Sequence, residues 1–267
     1  MSISGILLGE GHMGRLHKER FIQKGVSIIS ADGDAGCNDL LKTKADFAVI
    51  TTPASTHYRY AKQALEAGLS VFIEKPITTS YADAQSLSVI ARQKNLSLFV
   101  AQSERYHPVF LAFEKKFKEF LNSGEIQEIE FHRKNIENHR GKDVSAAFDI
   151  SVHDFDLLSA LLGKASLQYK VVRKQVSFHS LEAEIQVGNI AVRFFSERHS
   201  VHPERFIRAK GKKTLAADLN SPIINAKDAI ENEHDAFFEI LKNPSKGEKA
   251  LEGALFAVKL AEDLSRA

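Results

Sequence analysis

Short apolar runs alternate with amphipathic segments along the first part of the chain. Residues 4–8, Ser-Gly-Ile-Leu-Leu, have the continuous apolar character of a buried strand, and a glycine cluster and a helical stretch over 12–24 follow. Residues 26–31, 47–50, 69–73 and 96–101 read as further strands, with helices over about 57–67 and 81–94 between the later ones. Gly68 suits the position just past a helix end, because glycine accepts positive φ. Strands alternating with helices predict a parallel sheet covered on both faces.

Beyond about residue 125 the rhythm changes. Residues 126–134, 167–178, 181–187, 189–196 and 206–209 read as strands with few helices between them. Gly188-Asn189, flanked by two such runs, suits a hairpin turn. An amphipathic helix over 148–162 interrupts the series and ends at Gly163, and 226–265 is helical with a break near Asn243-Pro244. An α/β half followed by an α+β half with a mainly antiparallel sheet predicts two domains, residues 1–103 and residues 104–267.

Composition adds a frame to this pattern. The 267 residues are 43% hydrophobic and 26% charged, the profile of an ordinary globular protein. A net charge of +2 creates no long-range field for nucleic acid or a membrane surface, so neither is expected as a partner. The basic clusters Arg133-Lys134 and Lys210 to Lys213 lack aromatic interleaving and read as solvated surface. The single cysteine, Cys37, cannot form an internal disulfide. The N-terminal residues show no basic leader, and no stretch approaches the roughly 20 apolar residues of a membrane span, which predicts a cytoplasmic protein.

Candidate chemistry begins at Gly9-Glu10-Gly11-His12-Met13-Gly14, a GxGxxG pattern directly after a strand and opening a helix. The first glycine (Gly9) permits the tight turn, Gly11 lets backbone approach a pyrophosphate, and Gly14 lets helix and strand pack closely. The helix N-terminus offers amides to phosphates. An acid about 20 residues on would accept hydrogen bonds from ribose hydroxyls. Asp32 stands there and would repel a 2′-phosphate, favouring NAD over NADP; Asp32-Gly33-Asp34 also reads as plain turn chemistry.

Lys75, in Glu74-Lys75-Pro76, follows the 69–73 strand and so lies at the carboxyl edge of the sheet, where ligands bind in such folds. A lysine there can hold a substrate hydroxyl and stabilise developing negative charge; a surface-loop lysine is the plainer reading. On the 148–162 helix, Asp149 and His153 stand at i and i+4, on one face. A carboxylate beside an imidazole suits a general base near neutral pH, although a helix-face ion pair has the same spacing. No further His or Cys at ligand spacing joins the pair, so no metal is expected.

These segments together resemble the family of glucose-fructose oxidoreductase, inositol dehydrogenase and MocA. The resemblance rests on the glycine loop, on Thr51-Thr52-Pro53-Ala54-Ser55-Thr56-His57, on the Ala67 to Pro76 segment with its Glu-Lys-Pro, on 100–108 and on 148–163, in the family's order. It implies a Rossmann domain, then an open, mainly antiparallel sheet whose face lines the substrate site. It implies hydride transfer between a sugar-like secondary alcohol and a nicotinamide, with NAD as cofactor and NADP not excluded.

Carried over by position, Lys75 would bind the reacting hydroxyl, His153 would act as acid/base, and Asp149 would orient the substrate or His153. Glu74, Thr51, Thr52, Pro53 and His57 would line the cofactor cleft. Arg105 matches a family arginine that contacts ligand or forms an interdomain salt bridge. The segment 143–156 is similar to members acting on nucleotide sugars, and Arg133, Lys134, His139 and Arg140 could meet a diphosphate. A homo-oligomer, dimer or tetramer, is implied as well. Three positions depart from the pattern: Glu10 inside the glycine loop, Ser103 where an amide is usual, and a segment after Asp32 with room for little more than one short helix. The first and third bear on cofactor choice. A cofactor-binding sensor or assembly subunit without turnover is the alternative reading.

Overall fold

The computed structural model describes residues 3–136, 143–223 and 226–266. In chain order the elements are β1 (Ser4–Leu8), α1 (His12–Gln23), β2 (Ser27–Ala31), α2 (Gly33–Leu40), β3 (Phe47–Ile50), α3 (His57–Glu66), β4 (Ser70–Glu74), α4 (Tyr81–Gln93) and β5 (Leu98–Ala101). Then come α5 (Pro108–Asn122), β6 (Glu128–Lys134), α6 (Val152–Leu162), β7 (Tyr169–Val176), β8 (Ser180–Val187), β9 (Ile190–Glu197), β10 (Glu204–Lys210), β11 (Thr214–Asp218), α7 (Ala229–Lys242) and α8 (Glu248–Ser265). Short 3-10 turns join several of them.

The chain divides into two compact units, Met1–Ala101 with Glu233–Leu255, and Gln102–Asn232 with Phe256–Ala267. The pattern reading assigned all of 104–267 to the second domain. Glu233–Leu255 instead packs with the first unit, because Phe237 of α7 is fully buried among Phe47, Phe72 and Phe99, with ring centroids 5.0–5.6 Å apart.

In the first unit five parallel strands run in the order β2-β1-β3-β4-β5. β1, β3, β4 and β5 are covered on both faces, which is why their sequences are continuously apolar. β2 is an edge strand: only the short α2 separates it from β3, no strand among the described residues lies beyond it, and Ile29 is left 55% exposed. The register aligns Leu8 with Ala31 and Ile50, Ile50 with Ile73, and Ile73 with Val100. Gly9, Asp32, Thr51 and the Glu74-Lys75 turn therefore leave the sheet at one carboxyl edge, the position where open α/β sheets bind ligands.

In the second unit six strands run in the order β11-β10-β6-β9-β8-β7, antiparallel except for the β6–β9 pair. Inward residues such as Ile129, Phe131, Val192, Phe194 and Ile207 form a core with Phe110, Phe113, Phe117 and Phe120 of α5 and Phe155 and Leu158 of α6. The alternate positions carry cross-strand ion pairs, Arg193–Glu184 at 2.9 Å, Arg208–Glu130 at 3.2 Å and Lys210–Glu128 at 2.7 Å. Gly188, at φ +56°, turns the two-residue β8–β9 hairpin. α5 and β11 extend the sequence reading, and the expected 148–162 helix begins as a π-helical turn, Ala147–Ser151, before α6.

Candidate functional site

The glycine loop has the geometry its sequence requires. Gly9 sits at φ +97°, and a Cβ there would meet the Thr51 backbone at 2.9 Å. A Cβ on Gly14 would lie 2.0 Å from the Gly9 carbonyl oxygen, so α1 can approach β1 only without one. At Gly11 nothing lies within 4 Å of the same position. Backbone there is open to an incoming group, and the first-turn amides of α1 have no helical acceptor. A dinucleotide pyrophosphate fits this cradle. Thr51 supports it from beneath, its hydroxyl donating to Gly9 O at 2.6 Å. His12 is exposed and Met13 half-buried.

Glu10 is turned toward β2. Its carboxylate accepts the Ser30 hydroxyl and Lys18 Nζ, the latter at 3.4 Å, and those bonds hold its carboxyl below the usual range. Its charge is thus compensated within the protein. Asp32 is exposed at the end of β2, in an extended conformation before α2. Asp34 is engaged elsewhere, accepting from Arg59 and from the Tyr60 hydroxyl at 2.6 Å.

The turns after β3 and β4 are tied together. His57, fully buried, has Nδ1 2.7 Å from Pro76 O and Nε2 2.9 Å from Thr52 O. Its ring links two loops of the sheet edge. Thr52 takes a hydrogen bond from the Thr56 hydroxyl at 2.8 Å, and Pro53 is exposed. Glu74 is buried at the tip of β4, with Oε1 2.9 Å from His17 Nε2 and Oε2 accepting the Lys75 amide at 3.1 Å. Burial pushes the Glu74 pKa up, but the His17 hydrogen bond and the charges of His17 and Lys75 hold it below the ordinary value. Lys75 is half-buried beside it, before a cis peptide to Pro76.

In the second unit Asp149 lies in the π-helical turn and pairs with Arg198 at 3.0 Å. Arg198, at the end of β9, also donates to Val144 O at 2.7 Å. A π turn carries more residues per turn than an α-helix, so the i, i+4 spacing of Asp149 and His153 does not place them as in a regular helix, and such turns recur at functional sites. His153 is half-buried in the first turn of α6. Nothing local marks Arg198; the β-sheet supplies it from a distant segment.

Arg105 is held by Asp156, Nε–Oδ2 at 2.9 Å and Nη2–Oδ1 at 2.7 Å, and it also donates to Asp156 O at 3.1 Å. Of the basic residues considered for a diphosphate, Arg133 is buried between Asp154, at 2.7 Å, and Glu104, at 3.3 Å, and Lys134 pairs with Glu204 at 3.2 Å. These partners commit both cations to the protein itself. His139 and Arg140 lie outside the described residues.

A family model described as an oxidoreductase family with an NAD-binding Rossmann fold matches residues 13–102. The matched segment, residues 13–102, is similar to the NAD-binding Rossmann domain of the Gfo/Idh/MocA oxidoreductases. The chain is 25% identical to a UDP-N-acetylglucosamine 3-dehydrogenase of Acidithiobacillus ferrooxidans over 181 residues, 62% of this chain and 56% of that one. It is also 25% identical to an inositol 2-dehydrogenase of Rhizobium meliloti over 260 residues, 84% and 78% of the two chains. The chain spans about half the length of the first curated relatives it matches. The solved structure of GenD2 from gentamicin A biosynthesis, in complex with NAD, superposes with a TM-score of 0.83 over 98% of this chain and 92% of that one. At 17% identity that likeness speaks for the fold alone. No helix among the described residues is long and apolar enough to cross a membrane.

Proposed function

We propose that the chain is a Gfo/Idh/MocA-type dehydrogenase that oxidises a secondary ring hydroxyl of a sugar, cyclitol or nucleotide sugar with NAD. The observation that carries the reading is the shared carboxyl edge of the sheet, where the glycine loop and the Glu74-Lys75 turn stand in register. When bound, the nicotinamide supplies the hydride acceptor. Lys75 donates from its ammonium to the reacting hydroxyl oxygen and stabilises the negative charge that grows there as the proton leaves. His153 takes that proton as general base. Asp149 orients the substrate or the His153 ring from a turn whose position Arg198 helps to fix. Gly9, Gly11, His12, Met13 and Gly14 form the pyrophosphate loop, and Thr51, Thr52, Pro53, His57 and Glu74 build the adjoining edge. The exposed Asp32 carboxylate favours ribose hydroxyls over a 2′-phosphate, hence NAD over NADP. The substrate classes follow the printed activities of the inositol and UDP-N-acetylglucosamine relatives. A homo-oligomer belongs to the same proposal and is checked by light scattering.

The test is reduction of NAD and NADP by a panel that includes myo-inositol and UDP-N-acetylglucosamine. Lys75→Ala and His153→Ala should each lose about 10²–10⁴ in turnover while still binding NAD. Full activity in either variant, or NAD binding with no turnover on any panel member, would refute it.

A further inference from the structure

Beneath the Glu74-Lys75 turn, Glu74 is joined to two buried histidines, His17 and His234, that the proposed reaction does not use. His17 of α1 and His234 of α7 are both wholly buried, with His17 Nδ1 2.8 Å from His234 Nε2. The opposite nitrogen of His17 reaches Glu74 Oε1 at 2.9 Å, and Glu74 Oε2 accepts the Lys75 amide at 3.1 Å. The His234 ring stacks on Phe21 with centroids 4.2 Å apart, which fixes its plane. Three links thus run from a C-terminal helix, through the helix that follows the glycine loop, to the backbone of Lys75.

The chemistry of the chain constrains its protons. An ionised Glu74 can only accept, so His17 Nε2 donates to it. One proton must then lie between the two facing nitrogens, His17 Nδ1 and His234 Nε2. If His234 were replaced by a group that cannot share it, His17 Nδ1 would be a buried polar atom with nothing to meet. The His17 ring would lose its reason to hold Glu74 in one orientation.

His17, Glu233 and His234 also bring ligand-type atoms within 4.8 Å of one another. The 2.8 Å spacing of the two nitrogens is a hydrogen-bond length, shorter than the roughly 3.3 Å between two nitrogens each about 2.05 Å from a tetrahedral zinc. The geometry favours the shared proton over a metal.

We propose that His234 is a positioning residue for Lys75, acting through His17 and Glu74 on the lysine backbone. The chain keeps the Glu74-Lys75 turn in one conformation so that the ammonium meets the hydroxyl oxygen at a fixed place. This rests on the reading of Lys75 as the hydroxyl-binding group.

The experiment compares His234→Phe, which keeps the aromatic stack but cannot share the proton, with His234→Gln, whose side-chain amide can donate to His17. The probes are exchange of the Lys75 amide with deuterium, NAD affinity, melting temperature, and turnover of NAD with myo-inositol or UDP-N-acetylglucosamine, whichever the wild-type chain oxidises. In His234→Phe the Lys75 amide should exchange at least about tenfold faster and kcat should fall about tenfold, with NAD affinity unchanged. His234→Gln should restore both to within about threefold. A merely structural role would lower the melting temperature of both variants without separating them. Unchanged Lys75 exchange in His234→Phe, or equal behaviour of the two variants, overturns the proposal. Should His234→Phe fail to fold, imidazole nitrogen NMR of the unmodified chain decides: absence of a coupling across the His17–His234 hydrogen bond overturns it. Stoichiometric zinc in the purified chain, lost in both variants, would overturn it in favour of a metal site. Lys75→Ala separates the layers, because full turnover in that variant refutes the role of Lys75 whatever the exchange shows.

Discussion

Replacing Arg105 by Met tests whether that arginine serves the fold or a ligand. Its partner Asp156 is 1% exposed at the side chain, and the Arg105 side chain is 15% exposed. Burial raises the Asp156 pKa above the ordinary carboxylate value even though Arg105 pulls it down. Removing the cation leaves a buried carboxylate with two lost hydrogen bonds, a change that costs about 3–5 kcal/mol in comparable buried pairs. Replacing both partners, Arg105→Met with Asp156→Leu, removes the charge as well and should return most of that loss. The chain has no tryptophan, so chemical denaturation is followed by circular dichroism at pH 7.5 for wild type, both single variants and the double variant. The sign of the pH dependence gives a second check. With Arg105 gone, folding favours the neutral Asp156, so the stability of Arg105→Met should fall as pH rises above the unfolded value of about 3.9. The gap to wild type should therefore narrow toward pH 5. If Arg105→Met unfolds within about 1 kcal/mol of wild type while the substrate KM rises tenfold or more, the structural assignment is refuted and Arg105 is a ligand contact.

Two glycines of the loop should separate under the same substitution. Gly11→Ala adds a methyl group where nothing lies within 4 Å, so the melting temperature should hold while calorimetry shows NAD affinity falling at least about tenfold. Gly14→Ala forces a contact with the Gly9 carbonyl and should lose about 1–3 kcal/mol of stability as well; equal stability in the two variants would contradict this. His234 has its pKa lowered to about 2 by burial, and by the charges of His17, Lys24 and Arg20. Its unfolded form binds a proton below about pH 6.5 and its folded form does not, so this contribution is present above pH 6.5 and lost on acidification. By pH 5 wild type should have lost about 2 kcal/mol more than His234→Phe, read from denaturation curves at both pH values. Asp32→Ala should raise NADP affinity relative to NAD by about tenfold or more, and an unchanged ratio would remove Asp32 from the ribose site.

Much of this architecture was legible in local pattern. The apolar runs at 4–8 and 47–50 became buried strands with those bounds, and Gly68 and Gly163 take the positive φ expected after a helix. The short link after Asp32 proved to be one helix, leaving β2 as an edge. Phe110, Phe113, Phe117 and Phe120 carry the helical spacing that buries one face of α5. Partnerships were far less legible. The contacts of His57 were not readable in the sequence: its two ring nitrogens meet the backbone carbonyls of Pro76 and Thr52. Arg133 read as a solvated surface charge, or else a diphosphate contact, and is instead buried between two carboxylates. Spacing pointed from Asp149 to His153 alone, while the ion pair the structure gives Asp149 is with Arg198, just past the end of β9.

The sequence by itself determined the periods: which stretches extend, which coil, where glycine must stand, and where Lys75 leaves the sheet. Those properties depend on residues a few positions apart, and such neighbours meet in almost any fold. Only the tertiary structure decided that His234 meets His17, that Arg198 meets Asp149 and that α7 joins the first unit. Those contacts link residues far apart in the chain, and burial makes their pairing obligatory once the topology has brought them together.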